Sequence, residues 1–287
     1  MTNASWVRMV MLALLWGSGF LWIKLALAGL TPVQVTVVRC ALGAAVLLFL
    51  ARGQRFPRDL TTWRHLLVAA FFCNALPFAL FAIGEQTVDS GVAGVLNATT
   101  PLWALLLTAR RGLQPRRLAG LLTGFTGVLL IFAPWRQSGL VSWGAVAILG
   151  AAASYAVAFA YMGRHLVGTS APMAVSAAQL LAATGLSALA LPVSGTGPAI
   201  TAGAVVAVVV LGVFGTGATF YLNFRIIADE GATSAATVGY LLPVVSVALG
   251  AAVLGEELST RVVLGMVVVL VGVGLAQARV RAVSGAG

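Results

Sequence analysis

Apolar residues run in long stretches along this chain, and polar residues fall in short breaks between them. A bilayer-crossing helix needs roughly 20 mostly apolar residues. Such runs predict ten helices, at residues 7–28, 33–51, 63–84, 91–110, 117–134, 141–163, 171–191, 201–224, 232–254 and 261–279. The breaks, among them "GLTPVQ", "RGQRFPRD", "RRGLQPRR" and "GEELST", leave no room for a soluble domain. The pattern therefore predicts an all-α polytopic membrane protein with ten transmembrane helices.

Composition agrees. Of the 287 residues, 60% are hydrophobic and only 8% charged, against about 25% charged in a soluble domain; mean hydropathy is +1.03. A formal charge of +10 could signal nucleic acid, but here the charges are scattered over short loops and report topology. With the N-terminus in the cytoplasm, thirteen basic residues fall inside, including Arg52, Arg55, Arg58, Arg64, Arg116 and Arg117, while only Arg136 and Arg261 fall outside. This bias puts both termini in the cytoplasm and leans toward a bacterial inner membrane, with no nucleic-acid partner. The first apolar run is too long for a leader and carries two tryptophans and a lysine, so it reads as a retained helix. Cys40 and Cys73 lie inside apolar segments without framework spacing and read as small core residues.

The chain also repeats itself. "SGVAGVLNATTP" (90–101) resembles "ATSAATVGYLLP" (232–243), which sets Pro101 and Pro243 142 residues apart. Arg116, Gly120 and Gly127 match Arg261, Gly265 and Gly272 at a spacing of 145, and Pro32 aligns with Pro172. The expected division is 1–136 and 137–287, five helices each. An odd number of helices makes the second half enter the membrane from the opposite side. The result is two inverted five-helix repeats, an arrangement found in secondary transporters with a midplane site between the halves.

Four stretches carry a resemblance to a family: "WGSGFLWIK" (16–24), the arginine of "VVRCALGA" (37–44), "SGVAGVLNATTPLWALLL" (90–107) and "LGEELSTRVVLGMVVVLVGV" (254–273). In their order and duplication they resemble the drug/metabolite transporter superfamily, in its EamA-like ten-helix branch, over essentially the whole chain. The resemblance implies a transporter, commonly an exporter of amino acids or related metabolites, with a central cavity lined by helices 1–4 and 6–9. One departure stands out. "ARRGLQPRR" occupies the place in the first half where the family commonly has an acidic turn, whereas Gly255 and Glu256 keep it in the second.

Polar groups inside membrane helices are costly, so they face a cavity or another helix. Candidate substrate contacts are Trp16, Ser18 and Phe20 on helix 1; Asn74 and Phe78, with Phe81, on helix 3; and Asn97, Thr100 and Trp103 on helix 4. Tyr155 and Phe159 (helix 6), Phe220 and Asn223 (helix 8) and Tyr240 (helix 9) complete the set. Rings with a few amides and hydroxyls suit an amphiphilic small solute; the alternative is hydrogen bonding between helices. Pro77, Pro101 and Pro243 lie inside helices and act as hinges or static bends. The glycines of "GLLTGFTG" and "GMVVVLVGVG" read as close helix contacts, or else as a dimer face.

All seven carboxylates, Asp59, Glu85, Asp89, Asp229, Glu230, Glu256 and Glu257, sit at helix ends or in loops. No midplane carboxylate is available as a proton relay, which favours facilitated diffusion or exchange over obligatory proton coupling. His65 and His165 sit beside arginines at the cytoplasmic edge. No metal set or catalytic constellation is present, no cofactor is expected, and neither an enzyme nor a structural protein is the favoured reading. The expected partners are a small solute and the lipid bilayer, with the protein a monomer or a homodimer. The runner-up function is efflux of drug-like or other metabolites by a proton-coupled carrier.

Lys24 is the only lysine. It lies about 25 Å along the first helix at 1.5 Å per residue, near the outer interface. There it either snorkels as an anchor or pairs with Glu85 or Asp89 in an external gate. If it belongs to a gate, Lys24→Met alters transport in proteoliposomes without lowering the yield of folded protein. Unchanged flux assigns it to anchoring.

Overall fold

The computed structural model describes residues 3–84, 87, 90–108, 114–133, 135, 142–195, 199–245 and 259–277. Among these residues all regular structure is helical. Four helices are long and apolar enough to cross a membrane: Pro32–Leu50, Leu60–Phe81, Trp143–His165 and Ala202–Glu230.

Span 1 is α1 (Asn3–Gly17) followed by α2 (Gly19–Leu27), and span 2 is α3 (Pro32–Leu50). Span 3 joins α4 (Leu60–Ala70) to α5 (Leu76–Gly84) through a wide turn at Phe71–Ala75. Span 4 is α6 (Ser90–Asn97) and α7 (Thr100–Thr108), and span 5 is α8 (Pro115–Phe132). Spans 6 and 7 are α9 (Trp143–His165) and α10 (Pro172–Ala188). Span 8 joins α11 (Ala202–Gly212) to α12 (Thr219–Glu230) through a second wide turn, Val213–Ala218. Span 9 opens with α13 (Ala232–Thr237), and span 10 is α14 (Thr260–Gln277). The expected 136/137 boundary lies outside the described residues.

Local chemistry sets many of the ends. Thr31 and Gln34 form a reciprocal capping box ahead of Pro32, a standard helix start. Asp59 caps α4 by accepting from the Thr62 amide at 2.7 Å. The hydrogen bonds from Thr62 hold its carboxyl below the usual carboxylate range. Thr201 caps α11 in the same way, accepting from the Ala204 amide. Gly231 alone separates α12 from α13, with φ at 89°, a conformation glycine takes without strain. Span 1 begins earlier than expected. Its polar first turns have partners on span 8: the Ser5 hydroxyl donates to the Glu230 carboxylate at 2.7 Å, and Arg8 pairs with Asp229.

The in-helix prolines explain most of the irregular backbone. Proline supplies no N–H and crowds the carbonyl four residues back. Span 4 breaks at Ala98–Thr99, just ahead of Pro101. Span 9 tightens into a 3₁₀ turn at Val238–Tyr240, just ahead of Pro243. Ahead of Pro77 the chain widens, and the Leu76 amide reaches five residues back to the Phe71 carbonyl. Continuing that wide ladder, the Phe72 carbonyl would need the N–H that Pro77 lacks. Ser154 of span 6 fills the gap, donating its hydroxyl to the Phe72 carbonyl at 2.6 Å. Span 8 widens without a proline; the Thr216 hydroxyl donates to the Leu211 carbonyl at 2.9 Å instead. The two wide turns start 142 residues apart, the same spacing as Pro101 and Pro243.

Spans 5 and 10 pack along their glycines. A Cβ on Gly272 would strike the Gly124 backbone. One on Gly127 would lie 2.6 Å from the Val269 nitrogen, and one on Gly265 would lie 2.8 Å from Ile131 Cγ1. Arg261 at the start of span 10 donates to the Leu130 carbonyl at 2.6 Å and the Ile131 carbonyl at 3.2 Å. These glycines are therefore engaged within the chain. Gly127→Ala should destabilise the protein by about 1–3 kcal/mol through overpacking, read as a lower unfolding temperature in detergent. Gly274→Ala, where nothing lies within 4 Å, should leave that temperature unchanged or raise it slightly.

Candidate functional site

Spans 1, 2, 3 and 4 of the first half and 6, 8 and 9 of the second enclose a cavity. Span 7 contributes no described lining residue. It packs behind, against span 2. The wall runs from Trp16 and Gly19 past Ile23 to Leu27 and Pro32 at the turn joining spans 1 and 2. The cavity has a free volume of about 120 Å³.

Six aromatic residues stand in an otherwise largely aliphatic wall. Phe220 meets Trp16 edge-on at 6.4 Å and Phe78 at 6.3 Å, with interplanar angles of 75° and 90°. Tyr155 sits 6.2 Å from Phe81 and 6.1 Å from Phe159. The two Phe220 pairs are edge-to-face, a geometry rings prefer, while the Tyr155 pairs are tilted at 37° and 32°. Asn97 and Thr100 bring polar groups from the broken span 4, and the Thr100 hydroxyl donates to the Asn97 carbonyl at 2.8 Å. No carboxylate occurs among the described lining residues.

Eight of the expected contact residues line this cavity: Trp16, Phe78, Phe81, Asn97, Thr100, Tyr155, Phe159 and Phe220. Others do not. Asn74 is fully buried and accepts from the Gln179 amide at 2.9 Å. The Ser18 hydroxyl turns back onto its own helix, donating to the Leu15 carbonyl. Trp103 is 38% exposed and donates to Thr99. Tyr240 is fully buried and packs its ring against Gly124. Asn223 is fully buried, and neither its amide atoms nor the Tyr240 hydroxyl has a partner among the described residues. Phe20 and Lys24 lie on α2 with side chains outside the described residues, as do Glu85, Asp89, Glu256 and Glu257 entirely. His65 and His165 sit on α4 and α9 rather than in loops. Their rings stack at 4.5 Å, and the Tyr161 hydroxyl lies 2.6 Å from His65 Nδ1.

The residue that sequence reasoning left off the contact set is Arg39. It lines the cavity although only 7% exposed, and its guanidinium carbon stands 4.0 Å above the Phe78 ring. Its Nε donates to the Thr216 hydroxyl at 2.9 Å. The available signal was its register: Arg39 and Gln179 both fall seven residues after the proline that opens their helix.

A model of the EamA-like transporter family matches residues 5–133 and again 142–277. The chain belongs to that family. Its fold is accordingly ten transmembrane helices in two inverted repeats of five, and it is a membrane transporter. Among similar proteins is YedA of Escherichia coli (strain K12), named as an uncharacterized inner membrane transporter. It is 30% identical over 264 residues, covering 86% of this chain and 82% of YedA. An uncharacterized transporter of Archaeoglobus fulgidus is 24% identical, covering 94% of this chain and 97% of its own. A solved crystal structure superposes with a TM-score of 0.80 at 21% identity, over 96% of this chain and 97% of the other, and so shares the fold.

Within the family member described here, some candidate residues line the cavity and others pack between helices. Asn97→Ala should weaken solute competition about tenfold, the worth of one good hydrogen bond. Trp103→Ala should change it less than twofold. Both are read as half-inhibiting concentrations in proteoliposome uptake.

Proposed function

We propose that this transporter exports amino acids or closely related small amphiphilic metabolites, by alternating access of the cavity between its two halves. The observation that carries the reading is the cavity itself. Six aromatic residues stand in its largely apolar wall, and Asn97, Thr100 and Arg39 mark its polar points. An apolar side chain on a polar, charged head fits such a wall.

Alternating access is supported by an asymmetry. The cavity reaches the turn at Leu27 and Pro32 on one side of the molecule. On the other, where the N-terminus lies, Ser5–Glu230 and Arg8–Asp229 join span 1 to span 8. The ion pair is partly exposed, with side chains 26% and 37% accessible, so it contributes at most about 1 kcal/mol. That is a roughly fivefold bias between two states, enough to hold a gate and weak enough to release it. Asn223, one turn beyond Phe220 toward this closed side, is buried with no hydrogen-bond partner among the described residues.

Positive-inside bias supports cytoplasmic termini, and with that orientation the cavity reaches outward. Asp59, Asp229 and Glu230 all sit at helix ends, which favours facilitated diffusion or exchange. The test is counterflow of labelled L-leucine in proteoliposomes, competed by a panel of amino acids, with and without a protonophore. Competition by several amino acids, insensitive to the protonophore, is the expected result. Competition by hydrophobic dyes alone would overturn the substrate reading, and collapse of leucine flux on adding protonophore would overturn the coupling.

A further inference from the structure

Two buried polar crossings tie the halves together. From span 2, Arg39 Nε donates to Thr216 of span 8; from span 7, Gln179 Nε2 donates to Asn74 of span 3, each at 2.9 Å. They are counterparts. Arg39 and Gln179 share a register after Pro32 and Pro172. Asn74 and Thr216 are each the fourth residue of a wide turn.

The comparison acts as an internal control. In one half a neutral amide makes the crossing, fully buried and away from the cavity wall. In the other the same crossing is made by a guanidinium that reaches the wall. Burying a cation carries a penalty of several kcal/mol that an amide avoids. The crossing needs a donor at that position; it does not need a charge. A charge at the cavity wall is what the Arg39 crossing adds.

We propose that Arg39 binds the carboxylate of the transported solute. Resting on the amino-acid reading above, this assigns the solute's polar end. A guanidinium anchored through Nε to Thr216 has a fixed orientation, and its two-nitrogen edge matches a carboxylate in fork geometry. Stacking on Phe78 holds the plane further. Arg39 is the one cation among the described lining residues, which matches a singly charged carboxylate better than a phosphate dianion. The rings of Phe81, Tyr155 and Phe159 then face the solute's side chain.

The test uses the purified full-length protein and thermal unfolding titrated with four probes: L-leucine, 4-methylpentanoate, L-leucinamide and methyl phosphate. Wild type should be stabilised by the two carboxylates, with at least tenfold weaker effects from leucinamide and methyl phosphate. Arg39→Gln, which copies Gln179, should unfold unliganded within a few degrees of wild type and lose the carboxylate preference tenfold or more. Arg39→Lys should retain part of it. The proposal is overturned if Arg39→Gln binds both carboxylates as wild type does, or if neither carboxylate stabilises wild type. It is also overturned if methyl phosphate is the better ligand. Should Arg39→Gln fail to fold, equal wild-type affinity for leucine and leucinamide overturns it, and a tenfold preference for leucine reduced in Arg39→Lys supports it. Leucine binding lost in Arg39→Gln, with no leucine flux in wild type, would sink the export reading and keep the carboxylate site. Leucine flux unchanged by Arg39→Gln would do the reverse.

Discussion

A backbone amide or carbonyl buried in hydrocarbon must have a hydrogen-bond partner, because no water is there to supply one. Much that is irregular in this molecule follows from that rule. Pro77 removes a donor, the helix widens ahead of it, and Ser154 crosses from span 6 to satisfy the Phe72 carbonyl. In span 8 the Leu211 carbonyl is met by the Thr216 hydroxyl, whose oxygen accepts in turn from Arg39. One side chain therefore closes a gap in its own helix and joins it to the other half. Wide turns of this sort recur at functional sites in other helices. Here they place polar atoms at depth without leaving the backbone unpaired.

The frame and the site are built from different kinds of contact. Spans 5 and 10 approach on glycines, a contact in which an added methyl meets backbone. Such a seam transmits little polar chemistry and leaves the other spans to form the cavity. Around the cavity the contacts are ring on ring, at 6.1 to 6.4 Å. Toward the N-terminus the two halves meet through exposed charges on Arg8 and Asp229. Close glycine packing thus sits away from the cavity, and a partly exposed ion pair joins spans 1 and 8 on the N-terminal side.

Much of this was legible in the sequence. Hydropathy placed the spans to within a few residues, and Pro101 with Pro243 disclosed the repeat. The candidate stripes were less secure, for a definite reason. Asn74, Phe78 and Phe81 share a face on a regular helix, as do Thr216, Phe220 and Asn223. The wide turn carries an extra residue and rotates whatever lies within it off that face. Phe78 and Phe220, beyond the turns, line the cavity. Asn74 and Thr216, inside them, cross to the other half instead. Trp103 follows the break ahead of Pro101, and Tyr240 closes the 3₁₀ turn ahead of Pro243. Neither lines the cavity. Each expectation that missed the cavity on spans 3, 4 and 9 adjoins a departure from 3.6 residues per turn.

By itself the sequence determined the class of solvent, the segmentation into helices and the inverted repeat, because these depend on composition and spacing alone. It also determined that the lone intramembrane arginine and its counterpart glutamine share a register. Only the tertiary structure decided which polar groups face the cavity and which face each other. That choice depends on how far each helix is over- or underwound at its proline or wide turn, and on which neighbouring hydroxyl repairs the ladder. Ser154 and Phe72 are 82 residues apart, and Arg39 and Thr216 are 177 apart. No periodicity within one helix encodes such distances.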